Sequence, residues 1–191
     1  MYRHGARRCI ATREAQRFFP SHRHMNTIVQ TSLADLEQEM AGTRRTLERF
    51  PDDKGDYQPH EKSATMAKLA AHVAFIPTLG VMAMTTPEVD FMQRGDRPAE
   101  PTDAAGMLAL FDSGWAKLKS ALAEASDGHL MDKWTMKAGE RVIMSLPRAA
   151  VLRSLIINHM VHHRAQLTVY YRLNGVSVPG LYGPSADEPF V

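Results

Sequence analysis

The chain has 191 residues, of which 44% are hydrophobic and 23% are charged, and its formal net charge is +2. This length and composition fit one soluble globular domain that can bury a substantial core. No apolar run approaches the roughly 20 residues that a membrane-spanning helix needs, so we expect no membrane association. The basic balance comes from residues 1–24, which hold six arginines and one acid, while the remainder has 17 basic and 20 acidic side chains. The overall charge therefore does not indicate a nucleic-acid partner.

Residues 1–24 lack a helical apolar stripe and the apolar centre of a secretory signal. We expect Met25 to be the natural start of the protein and residues 1–24 to be a disordered or non-native leader. A functional basic arm and an Arg-rich targeting peptide are the alternatives. The single cysteine, Cys9, lies in this leader, so residues 25–191 contain no thiolate ligand, disulfide or cysteine nucleophile. That cysteine usage fits a cytoplasmic location.

Apolar residues at helical spacing predict two helices in the first half of the chain. The first covers Thr27 to Phe50 and ends at Pro51. After a polar loop, the second begins at the N-cap Thr65 and runs to about Thr86, with a kink expected at Pro77.

A third helix is predicted between the capping residue Asp103 and about Ala125, after a long loop over residues 87–101. Alternating residues from Trp134 to Leu146, around Ala138-Gly139, indicate a short β-hairpin.

The fourth helix is the longest, over about 147–174, with Gly175 as its C-terminal cap and an extended tail after it. Each of the four helices has a single apolar stripe, so the predicted fold is all-α, a four-helix bundle with a hairpin between helices three and four.

Two histidines of the fourth helix, His159 and His163, are one helical turn apart and project from the same face. At about 100° per residue, both fall in the middle of the helix's apolar sector, whereas His162 falls on its flank. His72 lies on the apolar stripe of the second helix. Metal sites in helical bundles are built from facing helices, so we predict a divalent metal held by these three core histidines. The alternative is that they make ordinary hydrogen bonds in the core.

Three protein ligands with an open position are typical of a catalytic metal site, whereas structural zinc sites have four. The protease sequence H-E-x-x-H is absent because Met160 and Val161 follow His159 directly. Glycine-rich phosphate-binding loops are absent too.

Other polar residues near these ligands are secondary candidates. His162 is either a proton shuttle or a flank residue, and Gln166 is predicted to face inward, where it binds a metal-bound water, orients a ligand imidazole or is a plain buried amide. Arg164 is predicted to face outward, at a subunit contact. His60 and His129 are expected to be exposed.

The segment Asn158-His-Met-Val-His-His-Arg-Ala-Gln-Leu167 resembles the DinB/YfiT-like family of proposed metalloenzymes. Lys68-Leu-Ala-Ala-His-Val73, preceded by His60-Glu-Lys-Ser63, is similar to the family's second-helix histidine motif. The tail from Gly175 to Glu188 resembles that of its best-represented branch. The resemblance covers Met25 to about Glu188 and departs at Ala165, where many relatives carry glycine.

The resemblance implies an up-down-down-up bundle, usually a homodimer, that binds zinc or nickel. It places the family's three ligands at His72, His159 and His163. Some relatives transfer low-molecular-weight thiols such as mycothiol or bacillithiol, and others isomerise or hydrolyse. We therefore expect a metal-dependent enzyme that activates water or a thiol and acts on a small molecule, such as a thiol substrate. The alternative is a stress-associated metal- or ligand-binding bundle without turnover.

Overall fold

The computed structural model describes residues 27–93 and 99–189, so the predicted leader lies outside the described residues. The described chain is mainly helical and carries one small sheet. Its first four helices are α1 (Thr27–Leu47), α2 (Met66–Thr85), α3 (Ala104–Glu124) and the short α4 (Asp127–Met131). The last helix, α5, consists of three consecutive segments: α-helical Arg148–Val151, π-helical Leu152–Asn158 and α-helical His159–Leu173. A single 3-10 turn, Asp52–Lys54, lies between α1 and α2.

The starts of α2 and α3 and the end of α5 are formed by the predicted capping residues. The hydroxyl of Thr65 accepts a hydrogen bond from the backbone of Lys68 at the start of α2. Asp103 accepts one from the backbone of Gly106 at the start of α3, at 2.7 Å. Gly175 has φ +71°, the left-handed conformation that ends α5. Pro77 lies inside α2, which continues to Thr85.

One hydrophobic core joins α1, α2, α3 and α5. Contrary to the expectation that no segment is long and apolar enough to cross a membrane, helix α2 reaches that length and hydropathy, but 61% of its apolar window is buried inside this fold. Burial on several sides explains that composition, as expected for the central helix of a bundle. The fully buried large side chains include Leu36, Ile76, Phe111, Leu118 and Tyr171.

The fold is not purely all-α, because three strands form a sheet in the order β1-β2-β3. Strands β2 (Lys133–Ala138) and β3 (Arg141–Pro147) are the two arms of an antiparallel hairpin. Strand β1 (Glu88–Asp90) pairs with β2 in parallel, although the sequence predicted a loop there. Three residues are too few for an alternating pattern to be recognisable in the sequence.

The tail after α5 has no helix or strand up to residue 189, where the described residues end, and polar contacts attach it to the bundle. The Glu188 carboxylate pairs with Arg45 of α1 and with Arg49, which follows α1, and the Asp187 carboxylate pairs with Arg172 of α5. The predicted extended tail therefore follows one path across α1 and α5.

Candidate metal centre

The three predicted ligands meet where α2 and α5 pack against each other in antiparallel directions. His72 of α2 lies beside His159 and His163 of α5. Towards the start of α2, the Tyr170 hydroxyl donates a hydrogen bond to the carbonyl of Ala64. The site therefore lies between two helices that are joined by packing on both sides of it.

The imidazole nitrogens of the three histidines converge. One nitrogen from each residue lies within 4.8 Å of the others. The Nε2 atoms of His72 and His159 are 3.2 Å apart. Two nitrogens bound to one zinc ion at about 2.05 Å in tetrahedral geometry are roughly 3.3 Å apart, so this spacing fits a shared cation. We call these three residues the histidine triad.

Two members of the triad have their other ring nitrogen fixed by the protein. Nδ1 of His159 donates to the carbonyl oxygen of Leu155 at 3.2 Å, and Nδ1 of His163 donates to Oε1 of Gln166 at 2.8 Å. A proton on Nδ1 leaves Nε2 with its lone pair free, which is the tautomer that a metal ligand needs.

The triad also favours neutral imidazoles. His72 is exposed as a whole residue, but partial burial of its ring lowers its pKa to about 4, with repulsion from His163 and His159 as further causes. Burial lowers the pKa of His159 too, with His163 again contributing. Metal ligands must be deprotonated, so these shifts keep lone pairs available at neutral pH. Within the described residues the triad includes no carboxylate or thiolate.

The triad lies at the edge of the core and not in its middle, which corrects the sequence prediction. His72 is exposed, while His159 and His163 are half-buried. The buried residues of α5 from position 152 onward are Leu152, Ile156, Ile157, Met160, Arg164, Leu167 and Tyr171.

The π-helical segment explains the difference. A π-helix turns through fewer degrees per residue than an α-helix because its hydrogen bonds span five residues. The prediction used the α-helical angle throughout, so it placed Leu152 and Ile156 on a different face from Met160. It therefore took the face that carries His159 and His163 as the buried one. Short π-helical insertions in α-helices recur at functional sites, and this segment ends next to His159.

The secondary candidates differ in their exposure and in the partners that they bond. Gln166 is exposed and does not face inward, yet it holds the His163 ring. His162 is exposed and its ring centre is 4.8 Å from that of His163, outside the triad. His60 is exposed, as expected. His129 was expected to be exposed but is half-buried, with Nε2 2.9 Å from the carbonyl oxygen of Met84.

Arg164 was predicted to face outward, and that prediction is wrong. Only 2% of this residue is exposed, and its guanidinium pairs with the carboxylate of Glu39 in α1 at 2.8 Å. The signal that would have found it lies in α1, where the polar residues Glu39 and Thr43 occupy the same stripe as Leu36 and Leu47. Polar residues in a buried stripe need a partner, and here the partner is a cation.

The family model for the DinB family matches residues 25–189. The chain belongs to the DinB family. It is also similar to the uncharacterized protein YrdA of Bacillus subtilis, with 25% identity over 156 residues, which are 82% of this chain and 89% of YrdA.

Solved structures of DinB-like proteins have the same fold. One from Bacillus cereus is 25% identical with a TM-score of 0.63, over 80% of this chain and 97% of that one. A second, YjoA of Bacillus subtilis, is 19% identical with a TM-score of 0.62, and the match covers 78% of this chain and 96% of YjoA. YfiT of Bacillus subtilis, described as a probable metal-dependent hydrolase with an unusual four-helix bundle topology, is 18% identical with a TM-score of 0.55, over 78% and 89%.

Proposed function

We propose that this protein is a metal-dependent enzyme whose divalent metal, zinc or nickel, is held by His72, His159 and His163. One observation carries the proposal: three imidazole nitrogens converge, and two of the rings are fixed in the ligand tautomer. Imidazole donors suit zinc and nickel, whereas magnesium and calcium prefer oxygen ligands. The donor set therefore fits the first pair of metals.

The arrangement also favours reactivity over a purely structural role. The triad supplies three protein ligands, and His72 is exposed, so a substrate can reach the site from solvent. A bound metal would act as a Lewis acid that lowers the pKa of a water or thiol in its open position. The protein's own contribution is to orient two rings, through the Leu155 carbonyl and the Gln166 amide, and to keep the ligands neutral.

The proposed substrate is a small molecule, and the proposed reactions are transfer of a low-molecular-weight thiol or a hydrolysis. Both reactions need a nucleophile that is activated near neutral pH, which is the chemistry such a metal supplies. The similarity to YfiT supports a metal-dependent role by fold alone, because the identity is 18%.

The rival function is a stress-associated metal- or ligand-binding bundle without turnover. It draws support from the composition of the triad, which includes no carboxylate that could act as a general base within the described residues. The exposed His162, beside His163, is the remaining candidate for proton transfer.

Metal content and turnover together test this proposal. The purified chain is reconstituted with zinc or nickel, its metal is measured after gel filtration, and thiol cosubstrates are screened by mass spectrometry. We expect about one metal per chain and a product mass that appears with wild type and not with His163→Ala. One bound metal without turnover on any thiol or hydrolysable substrate would favour the rival, and no metal after reconstitution would overturn both functions.

We further propose an up-down-down-up order of the four long helices, a homodimer and a cytoplasmic location. The family resemblance supports the helix order and the dimer, and the absence of cysteine from residues 25–191 supports the location. Light scattering at micromolar concentration should give about twice the formula mass of 21.3 kDa. A monomer mass throughout that range would contradict the dimer.

A further inference from the structure

We propose that Arg164 is a positioning residue for the metal centre, and that Tyr182 in the C-terminal tail completes its support. The inference rests on the proposed function, because it concerns how the same histidines are held. Arg164 follows His163 directly in the chain, but its side chain extends to α1 and not to the site.

The guanidinium of Arg164 is surrounded by hydrogen-bond acceptors of α1. Nη1 donates to the carbonyl oxygen of Glu39 and to Oγ1 of Thr43, both at 3.0 Å, and Nη2 donates to Oε2 of Glu39 at 2.8 Å. The side chains of Arg164 and Glu39 are 2% and 11% exposed. Arg164 is therefore bonded from several directions at once.

The tail closes this network from the outer side. The Tyr182 hydroxyl accepts from Nη2 of Arg164 at 2.6 Å and donates to Oε2 of Glu39 at 2.7 Å. The guanidinium carbon of Arg164 also lies 5.4 Å from the centre of the Tyr182 ring. Gly42 of α1 lies beside the guanidinium, and an added Cβ there would be 3.2 Å from Nη1 of Arg164 and 3.1 Å from Leu181, so a larger residue would crowd Arg164.

These bonds fix the rotation of α5 about its own axis. His163 and Arg164 differ by about 100° around the helix, so anchoring one on α1 sets the direction of the other towards α2. If the ring nitrogen lies roughly 6 Å from the helix axis, a 10° rotation of the helix about that axis displaces the nitrogen by about 1 Å. Metal–ligand distances tolerate only about 0.2 Å, so a small rotation is enough to disrupt the triad.

Apolar packing alone leaves this rotation less well determined. Met160 and Leu167, the buried neighbours of Arg164, make contacts that carry no direction, and Met160 is flexible. A buried ion pair is often no more stabilising than apolar residues of similar volume. We infer that the network serves chiefly to orient the histidine ligands. A guanidinium that donates hydrogen bonds from both Nη1 and Nη2 can hold α5 in only one orientation relative to α1.

The test replaces the whole buried pair, so that no uncompensated charge remains. In Glu39→Met/Arg164→Met the apolar substitutes should keep the apo protein folded, with a melting temperature close to that of wild type. We expect its zinc affinity, measured by competition with a chromophoric chelator, to fall about tenfold or more. The visible spectrum of bound cobalt(II), which reports ligand geometry, should change as well.

Arg153→Met is the matched control, because Arg153 also pairs α5 with α1, through Asp35, but at the exposed surface. It should keep the wild-type zinc affinity and cobalt spectrum. Tyr182→Phe tests the tail and should weaken zinc binding by a smaller factor, since Arg164 keeps its α1 partners.

A folded double variant with wild-type zinc affinity and cobalt spectrum would overturn the proposal. If the double variant does not fold, Arg164→Lys decides, because lysine keeps the charge but cannot bond at two nitrogens. Wild-type affinity in Arg164→Lys would then overturn the proposal, and reduced affinity would support it. If wild type itself binds no metal, the proposed function fails first, so the two failures are distinguishable.

Discussion

At the scale of single residues, the two ring nitrogens of His159 and His163 have different roles. His159 and His163 use Nδ1 to bond Leu155 and Gln166, so Nε2 is left for a metal. The two acceptors differ in kind, since one is a helix carbonyl and the other an exposed amide. Substituting Gln166 would therefore loosen His163 while leaving His159 in place.

We predict that His159→Ala and His163→Ala each abolish stoichiometric metal binding, and that His72→Ala does so nearly as completely. Each change removes one of three coordinate bonds and leaves water in its place, so affinity should fall by orders of magnitude. Metal per chain after gel filtration measures the effect, with circular dichroism to verify folding.

His162→Ala is the matched control for these variants, because His162 is a neighbouring histidine outside the triad. It should bind metal as wild type does. Loss of metal from His162→Ala together with retention by His163→Ala would show that the ligand assignment is wrong.

At the scale of elements, the junction between α2 and the start of α5 is held by a buried cation. Arg148 is 7% exposed, and it donates to the carbonyls of Ala83 at 3.0 Å and Thr86 at 3.1 Å, which lie at the C-terminal end of α2. Those carbonyls have no partner within the helix, and the negative end of the helix dipole favours a cation. Arg148 therefore links the two helices that carry the triad at a point remote from it.

We predict that Arg148→Met lowers the free energy of unfolding by about 2–3 kcal/mol, because it leaves buried carbonyls unbonded. Chemical denaturation of the apo protein provides the measurement. Arg153→Met serves as the comparison, since its exposed ion pair should contribute about 0–1 kcal/mol. Equal losses in the two variants would refute a special role for Arg148.

At the scale of the whole molecule, the tail is an integral part of the bundle. Glu188 accepts from the backbone of Gly180 at 2.8 Å and pairs with Arg45 and Arg49, so its carboxylate joins the tail to α1. The Gly180 amide, the Arg45 guanidinium and the Arg49 guanidinium lower the pKa of Glu188 to about 2. The tail holds Tyr182 against Arg164, so its docking extends to the support of the triad.

We predict a pH-dependent difference between wild type and Glu188→Gln. The folded-state pKa of Glu188 lies below the ordinary value of 4.5, so the carboxylate stabilises the fold above about pH 4.5, and this contribution is lost as the pH falls towards 2. Melting temperatures of the two proteins should therefore differ at pH 6 and converge between about pH 4.5 and 2.

Glu124→Gln is a suitable control for this comparison, because the Glu124 carboxylate makes no hydrogen bond or ion pair within the described residues. It should follow wild type throughout the pH range. A constant gap between wild type and Glu188→Gln down to pH 2 would contradict the prediction.

We also predict that deleting residues 1–24 leaves thermal stability and metal content unchanged. The family match begins at residue 25, and the described fold begins with α1 at Thr27. Calorimetry and metal analysis of the two chain lengths provide the check. A fall of several degrees in melting temperature would assign these residues a part in the fold.

The sequence alone determined the features that depend on local chemistry. Helix caps at Thr65 and Asp103, the stop at Gly175 and the hairpin follow from side-chain hydrogen bonds and backbone preference over a few residues. The spacing of His159 and His163 also singled out both residues, because a fixed helical repeat places them on one side.

Only the tertiary structure decided which side of α5 is buried, where Arg164 points and how open the triad is. The π segment changes the angle between Ile156 and Met160 around the helix axis. It forms from backbone hydrogen bonds, and no residue type in Leu152–Asn158 predicts them. The burial of Arg164 depends on Glu39, which is 125 positions away in the chain. Local periodicity carries no information about such partners, because they are brought together only when the helices pack.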